Sequence, residues 1–340
     1  GTTYELVPAS LRNWGFTNIH TVPEQSIPDG DFPTVASANP EEPAAFKMAL
    51  DLARKIDADL AMACDPDGDR IGIAVKNDAG EWTLLNGNQT NIIFTEYIIR
   101  RKKELNQLKG GEYTVKTIVT TELIKDIAEK NHIICYDVYT GFKWIADVIR
   151  KEGGEKFIGG GEESFGYMPG AFTRDKDGVS ATSLMAEIAA WVKMQNKTLY
   201  SFLKEIYAKY GFSQERMIYI VRKGLSGAQE IKAMMEEFRH NTPKEINHSP
   251  VVLKKDYLSL EATNLQTGEK THLNFETKSD VLQFFLADGS KISVRPSGTE
   301  PKIKFYFEAR AQMKDMNEYE RAQQEANARI DAIIKDLKLQ

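Results

Sequence analysis

The segment that most constrains this chain is residues 64–70, CDPDGDR, which brings three carboxylates within five residues of one another. Apolar runs at residues 58–63 and 71–75 flank it, and both runs predict buried strands. The acids therefore lie on a short turn between two stiff elements. Pro66 fixes one φ angle and Gly68 permits an unusual one, so the turn can direct alternate side chains toward a single point.

Three acidic side chains held this close together predict a cation site. Two carboxylates about 4 Å apart repel each other by roughly 4 kcal/mol at an effective dielectric constant near 20. A cation removes this repulsion, and oxygen ligands alone favour a hard ion, Mg²⁺ before Ca²⁺. A solvated acidic turn is the weaker interpretation, because strands bracket the loop. An EF-hand is excluded, because Arg70 occupies the position that needs glycine and Lys76 the position that needs glutamate.

Length, charge and cysteine content limit the class of protein. The 340 residues are enough for two or three domains. A formal net charge of −5 argues against a general nucleic-acid binder. The two cysteines, Cys64 and Cys135, do not form a disulfide framework, so a reducing cytoplasm is the expected location. No apolar run approaches the roughly 20 residues of a membrane span, and we expect neither a signal peptide nor membrane association.

Strand and helix patterns alternate through the first 210 residues. This alternation predicts a largely parallel, layered α/β sheet, with a strand at residues 16–22 and a helix from about residue 44 to residue 56 among its elements. The last part of the chain differs. Short strands joined by turns such as Asp288-Gly289, followed by a long amphipathic helix over residues 319–337, predict an antiparallel α+β arrangement.

We therefore predict two tandem layered α/β domains with mixed sheets, followed by a C-terminal α+β domain with an antiparallel sheet. The predicted domains are residues 1–106, 107–210 and 211–340. The sequence KGG at residues 109–111 is typical of a linker and lies beside the first of these boundaries.

One further loop, at residues 159–166, reads GGGEESFG. Four glycines let a backbone approach a ligand closely, while Glu162, Glu163 and Ser164 offer acceptors and a donor. Carboxylates that accept hydrogen bonds from vicinal hydroxyls are a natural way to hold a sugar. A surface hairpin is an equally good interpretation of this loop alone.

A second loop, at residues 295–301, reads RPSGTEP and predicts a phosphate site. Arg295 offers a guanidinium that binds an anion in bidentate fashion. Ser297 and Thr299 offer hydroxyls, and Gly298 lets backbone N–H groups point inward as an anion-binding nest. The alternative is a hairpin with an exposed arginine.

These loops occur in the order and spacing of a known family, and the whole chain resembles an α-D-phosphohexomutase (phosphoglucomutase/phosphomannomutase). Residues 65–70 resemble the family's metal loop, residues 161–166 its sugar-recognition loop, and residues 295–299 its phosphate-binding loop. Residues 140–143 and 175–178 also resemble family segments near the sugar and the phosphate. Any one motif is moderately specific, whereas the ordered set is strongly so.

The resemblance implies roles for charged residues. Asp65, Asp67 and Asp69 are expected to hold Mg²⁺. Arg70 is expected to stabilise charge on the transferring phosphoryl group as a catalytic residue. Lys143 and Lys176 are expected to add positive charge near the substrate, with Lys176 also the candidate proton acceptor.

The resemblance also implies which residues bind the hexose phosphate. The ring hydroxyls are assigned to Glu162 and Ser164. The phosphate that does not react is assigned to the phosphate-binding loop, namely Arg295, Ser297, Gly298 and Thr299.

The family interconverts hexose 1-phosphate and hexose 6-phosphate through a 1,6-bisphosphate, and its first domain carries the phosphoserine that donates the phosphoryl group. Ser37 is a poor match to that serine, because alanine stands where the family has histidine and Asp65 follows too soon for the rest of a first domain. We therefore expect an N-terminally truncated second domain, then domains three and four, and no mutase activity from these residues alone.

Alternatives stay open at this point. One is a phosphopentomutase or a bisphosphate-forming relative. Another, from a different class, is a non-catalytic module that binds a sugar phosphate or Ca²⁺. The sequence decides neither between glucose and mannose nor the oligomeric state.

Overall fold

The computed structural model describes residues 1–222, 224–298 and 300–339. They divide into two compact units, residues 1–210 and 211–340, which we describe separately. The three-domain division at residues 106 and 210 stays a prediction. No described helix combines the length and apolar composition that a membrane crossing requires.

The first unit alternates helices with short strands. Its helices are α1 (Thr3–Asn13), α2 (Lys47–Lys55), α3 (Gly87–Glu104), α4 (Leu123–Lys130), α5 (Phe142–Glu152), α6 (Gly178–Lys193) and α7 (Leu199–Tyr210). Its strands are β1 (Ala61–Cys64), β2 (Ile71–Lys76), β3 (Trp82–Leu85), β4 (Tyr113–Thr117), β5 (Ile134–Val138), β6 (Phe157–Gly161) and β7 (Tyr167–Met168).

The first sheet has the order β1-β2-β3 and is antiparallel, with Cys64 opposite Ile71. The prediction of a largely parallel sheet is wrong here. Parallel neighbouring strands need a crossover connection of a dozen or more residues. The acidic turn between β1 and β2 is too short for a crossover, so it can form only a hairpin. The turn therefore reverses the chain and returns it along the strand it just left.

The second sheet has the order β5-β4-β6-β7 and is mixed, as predicted. β4 pairs in parallel with β5 and β6, and β7 pairs antiparallel with β6. The helices α4 and α5 provide the crossovers that parallel pairing requires. Phe142, Ile145 and Ile149 on one face of α5 pack against Tyr113 and Val115 of β4, which forms the core of this sheet.

Two local predictions differ from the structure. Residues 16–22 form no strand, because they have no strand neighbour to pair with. The helix expected from residue 44 begins as a 3-10 turn, Pro43–Phe46, before α2.

The second unit is antiparallel throughout its described pairings, which confirms the predicted α+β class. Its sheet has the order β12-β11-β10-β13-β14-β15-β8, with β9 paired to β10. The strands are β8 (Phe212–Val221), β9 (Glu245–Ile246), β10 (Ser249–Asp256), β11 (Glu261–Asn264), β12 (Lys270–His272), β13 (Leu282–Leu286), β14 (Lys291–Pro296) and β15 (Lys302–Ala311). The helices are α8 (Gly224–His240) and α9 (Tyr319–Asp336), and both pack on this sheet.

The aromatic pair Phe94 and Tyr167 tests the packing of the first unit. Their rings stack with centroids 4.4 Å apart, and both side chains are buried. We expect Phe94→Ala to lower the free energy of unfolding by about 3–5 kcal/mol through the cavity it leaves. All four tryptophans lie in residues 1–210, so their fluorescence in a urea titration follows this unit alone. The control, Phe172→Ala, removes a ring that is 70% exposed and should change little.

Candidate active site around the acidic loop

The acidic loop joins β1 to β2 and is held by its own backbone. Asp65 Oδ1 accepts hydrogen bonds from the N–H groups of Asp69 and Arg70, each at 3.0 Å. Gly68 has a φ of +76°, and a Cβ at this position would lie 2.4 Å from Thr3 Cγ2 at the start of α1. Glycine is therefore required by backbone conformation and by close packing together.

The three carboxylates of this loop form one cluster. Asp65, Asp67 and Asp69 can each present an oxygen so that all three lie within 4.8 Å of one another. Burial first, and then the charges of Asp69 and Asp67, raise the pKa of Asp65 to about 6, although the hydrogen bond from the backbone N–H of Arg70 acts to lower it. Such a cluster is costly to ionise without a cation.

One oxygen of the cluster shows how well a metal ion fits. Asp69 Oδ1 is buried and accepts no hydrogen bond from any described residue, and Arg70 Nε stays 3.9 Å away. A buried carboxylate oxygen without a donor costs free energy that a coordinated cation removes. The donor set is oxygen only, which suits Mg²⁺. The residues present therefore fit a magnesium ion.

Both predicted catalytic cations contact this cluster. Lys176 Nζ makes an ion pair with Asp69 Oδ2, and Arg70 Nε lies 3.6 Å from Asp65 Oδ2. Glu41 accepts a hydrogen bond of 3.0 Å from Arg70 Nη1 and so orients the guanidinium. Sequence reasoning missed Glu41, because it stands 29 residues before Arg70 in an irregular segment without a motif.

The loop at residues 162–166 reaches the acidic loop through the backbone. Phe165 O accepts a hydrogen bond of 3.0 Å from Ile71 N, the first residue of β2. Gly178 N, at the start of α6, donates to Gly68 O at 3.0 Å. Phe165 has a φ of +68°, a strained conformation for a residue with a side chain. Three separate predicted motifs therefore meet within the first unit.

Glu162 is buried within the same loop. Its Oε1 accepts a hydrogen bond from Gly141 N, which caps the N-terminus of α5. Ser164 is half-buried in the same loop, and Lys143 lies exposed in the first turn of α5. Glu162 and Lys143 are thus placed at the N-terminus of α5, where the helix dipole favours an anion.

The glycines before this loop have a different role from the one predicted. Residues 159–161 belong to β6 and are buried, so they offer no surface to a ligand. A Cβ at Gly161 would lie 2.2 Å from Asn91 Oδ1, and one at Gly160 would lie 2.6 Å from Val115 O. Asn91 in turn donates to Glu162 O at 2.7 Å. These glycines let α3 and β4 pack against the loop and fix its position.

Glu163 is held on the other side of the loop. Its Oε2 accepts hydrogen bonds from the hydroxyls of Thr117 at 3.3 Å and Thr120 at 3.2 Å. Below them Lys116 is fully buried, and its Nζ lies 2.7 Å from Asp137 Oδ1. This buried polar network anchors the strand end that carries Thr117.

In the second unit, Arg295 lies in β14 directly opposite Lys304 of β15. Opposed residues of an antiparallel pair share a face, and two cations so placed repel unless an anion lies between them. Ser297 N donates to Lys302 O at 2.7 Å, and Ser297 Oγ accepts from Glu300 N at 3.3 Å. Sequence reasoning missed Lys304, which only the strand register brings beside Arg295.

The remaining residues of this loop add less. Gly298 is exposed, and Thr299 lies outside the described residues. The geometry of the predicted phosphate site therefore rests on Arg295, Ser297 and Lys304.

Family models match three stretches of the chain. Residues 1–80 match phosphoglucomutase/phosphomannomutase alpha/beta/alpha domain II, residues 86–210 match domain III, and residues 230–329 match the C-terminal domain. The chain belongs to the phosphoglucomutase/phosphomannomutase family. The resemblance drawn from the sequence motifs is thereby confirmed, and so is the fold class.

Curated relatives include phosphoglucomutases of Staphylococcus aureus. That of strain N315 is 37% identical over 307 residues, which is 90% of this chain and 54% of the relative, and that of strain bovine RF122 is 38% identical over the same span. The chain thus spans about half the length of the curated relatives it matches.

Solved structures share the fold at low sequence identity. The pp63/parafusin phosphoglucomutase of Paramecium superposes with a TM-score of 0.60 at 19% identity, over 91% of this chain and 52% of that one. A phosphoglucomutase/phosphomannomutase family protein of Burkholderia thailandensis gives 0.56 at 16% identity, over 92% and 54%.

A single amide substitution distinguishes a metal site from an ordinary acidic turn. We expect Asp67→Asn to weaken Mg²⁺ binding about tenfold or more in isothermal titration, because one anionic ligand is lost. Without Mg²⁺ the same variant should unfold at a slightly higher urea concentration, because one repulsion is removed. The control is Asp31→Asn, at an exposed aspartate outside the cluster. Equal Mg²⁺ affinity in Asp67→Asn and the unaltered protein would contradict the assignment.

Proposed function

We propose that these residues form part of a phosphohexomutase that interconverts hexose 1-phosphate and hexose 6-phosphate, of glucose, mannose or both, through a 1,6-bisphosphate. The observation that carries the proposal is the junction of the acidic loop with the loops that hold Lys176 and Glu162. A metal site, a cation and hydroxyl-binding groups in one place match the needs of phosphoryl transfer to a sugar. Phosphoryl transfer depends mainly on positioning and on neutralising charge.

The acidic loop supplies the charge neutralisation. Asp65, Asp67 and Asp69 would hold Mg²⁺, which when bound withdraws negative charge from a transferring phosphoryl group. Arg70 stabilises charge on the same group, and its ion pair with Glu41 keeps the guanidinium in place before substrate binds. Lys176 adds a second positive charge. To act as the proton acceptor, its ammonium group would first have to give up a proton as well as its ion pair with Asp69.

The loop at residues 162–166 supplies recognition of the sugar. A carboxylate can accept several hydrogen bonds, so the bond from Gly141 N orients Glu162 and still allows it to accept from ring hydroxyls. Ser164 adds a hydroxyl that both donates and accepts. Such groups bind a hexose in either of two orientations, which a substrate with two exchanging phosphate positions requires.

The phosphate that does not react is bound by Arg295, Ser297, Gly298 and Thr299. The strand register that sets Lys304 opposite Arg295 supports this role, because a bound anion would relieve the repulsion between these two positive charges. These side chains and the backbone N–H groups at Gly298 recognise the phosphate itself, so the proposed site accepts it from either position on the ring. Lys143, in the first unit, adds positive charge near the substrate.

A charge-conserving substitution tests the proposed role of Arg70. In the protein extended at its N-terminus to the length of its relatives, we expect Arg70→Lys to lower kcat about 100-fold with a smaller change in KM, because a lysine cannot keep both the fork geometry and the contact with Glu41. The measurement is a coupled assay of glucose 1-phosphate turnover, repeated with mannose 1-phosphate and ribose 1-phosphate. Arg54→Lys, on the exposed face of α2, is the matched control. Preferred turnover of ribose 1-phosphate would instead indicate a phosphopentomutase.

The expected position of the donor phosphoserine leads to a separate prediction. Residues 1–340 alone should show no turnover of glucose 1-phosphate, because the proposed phosphoserine is not among them. The extended protein should become phosphorylated on a serine upstream of Gly1 and should be active. Turnover by residues 1–340 that disappears in Ser37→Ala would overturn this assignment. Micromolar binding of Ca²⁺ without phosphate, in preference to Mg²⁺, would indicate a calcium module instead.

A further inference from the structure

The loop at residues 162–166 contains two adjacent glutamates, and the proposed sugar binding uses only the first of them. The second, Glu163, contacts two threonines at the end of β4. Its Oε2 accepts hydrogen bonds from the hydroxyls of Thr117 and Thr120, and its N–H donates to Thr120 Oγ1 at 3.3 Å. The hydroxyl of Thr120 therefore holds both the side chain and the main chain of Glu163.

A buried cation fixes these two threonines in turn. Their hydroxyl oxygens lie 2.8 Å apart, and the carbonyl oxygen of each lies 3.5 Å from Lys116 Nζ. Lys116 is fully buried, and its Nζ lies 2.7 Å from Asp137 Oδ1 and 3.0 Å from Glu122 Oε1. An ammonium group paired in this way is costly to displace, because the loss of a partner leaves buried charge uncompensated. The threonines therefore form a rigid anchor for Glu163.

The backbone of the loop is strained two residues further on. Phe165 has a φ of +68°, which is an unfavourable conformation for a bulky side chain. Such a conformation persists only where neighbouring groups hold the backbone in place. Phe165 O accepts a hydrogen bond from Ile71 N at 3.0 Å, and a Cβ at Gly87 of α3 would lie 2.0 Å from Glu163 O. The loop is thus confined by β2 and by α3 as well as by β4.

Ser164 lies between the two restrained residues. The threonines hold the residue before it, and the bond from Ile71 N holds the residue after it. If Phe165 relaxed to a negative φ, the chain direction at this point would change, and the hydroxyl of Ser164 would move with it. The position of Ser164 therefore depends on the contacts of its neighbours.

We propose that Glu163 is a positioning residue for sugar recognition. Its hydrogen bonds to the two threonines hold Phe165 in the strained conformation and thereby place Ser164 for the ring hydroxyls. Glu163 acts through these neighbours and not by contact with the sugar. The effect on sugar binding rests on the proposed function, whereas the restraint on Phe165 can be measured without any substrate.

Hydrogen exchange of two amides, followed by NMR in residues 1–340, tests the restraint. The Ile71 amide donates to Phe165 O, whereas the Gly178 amide donates to Gly68 O at the same junction and is the internal reference. In Glu163→Ala we expect exchange of the Ile71 amide to accelerate at least tenfold, and that of Gly178 to change less than twofold. Equal acceleration of both amides would indicate general destabilisation, and either that result or no acceleration at all would overturn the proposal.

Two further variants separate the restraint from a loss of packing. Glu163→Gln keeps an acceptor oxygen for the threonine hydroxyls, so Ile71 exchange should stay within threefold of the unaltered protein. Phe165→Asn introduces a residue that tolerates a positive φ, so adding Glu163→Ala to it should change Ile71 exchange less than twofold. Exchange in Glu163→Gln as fast as in Glu163→Ala would contradict the proposal. If Phe165→Asn does not fold, the comparison of the two Glu163 variants decides.

Isothermal titration with glucose 6-phosphate tests the consequence for sugar recognition. We expect Glu163→Ala to weaken binding at least fivefold while Mg²⁺ affinity stays within twofold, because the acidic loop keeps its own backbone hydrogen bonds. The matched control is Glu129→Ala, at an exposed position on α4, which should leave both affinities within twofold. Failure of the unaltered protein to bind glucose 6-phosphate would contradict the proposed function. Undiminished binding by Glu163→Ala would contradict only the positioning role.

Discussion

The repulsion among Asp65, Asp67 and Asp69 is the interaction on which the rest of the first unit depends. The three carboxylates can place oxygens within 4.8 Å of one another. The charge repulsion at that distance lowers the free energy of unfolding unless neighbouring groups offset it. Most of the offsetting groups belong to the loop itself, and one comes from a distant part of the sequence. They are the backbone N–H groups that donate hydrogen bonds to Asp65, the guanidinium of Arg70, and the ammonium of Lys176.

The scaffold holds these groups by backbone contacts more than by long side chains. Ile71 N bonds Phe165 O, and Gly178 N bonds Gly68 O, so three loops are fixed to one another by their main chains. Close packing at Gly161 and Gly68 leaves no room for even a methyl group. A site built in this way is organised before substrate binds, and little conformational entropy remains to be lost on binding.

The sequence was a good guide to the motifs and a poor guide to the residues that contact them in the folded chain. The acidic turn, the mixed second sheet and the antiparallel C-terminal sheet follow from composition and periodicity within short windows. Glu41 and Lys304 do not, because each acquires its role from a partner that only the tertiary fold brings near. The failed strand at residues 16–22 has the same cause. Its apolar pattern is a strand pattern, but a strand also needs a neighbour, and that neighbour is not among the described residues.

The central claim is that the metal cluster and the sugar-binding loop of the first unit serve one bound hexose phosphate. Paramagnetic relaxation tests it most directly, with Mn²⁺ as the metal and the ³¹P resonance of glucose 6-phosphate as the observed signal. The account predicts strong broadening of that resonance by residues 1–340 loaded with Mn²⁺. The broadening should be lost in Asp67→Asn, in which the metal site is weakened, and in Glu162→Gln, in which sugar binding is weakened. Broadening that is the same in all three proteins, or absent from the unaltered one while both ligands bind, would contradict it.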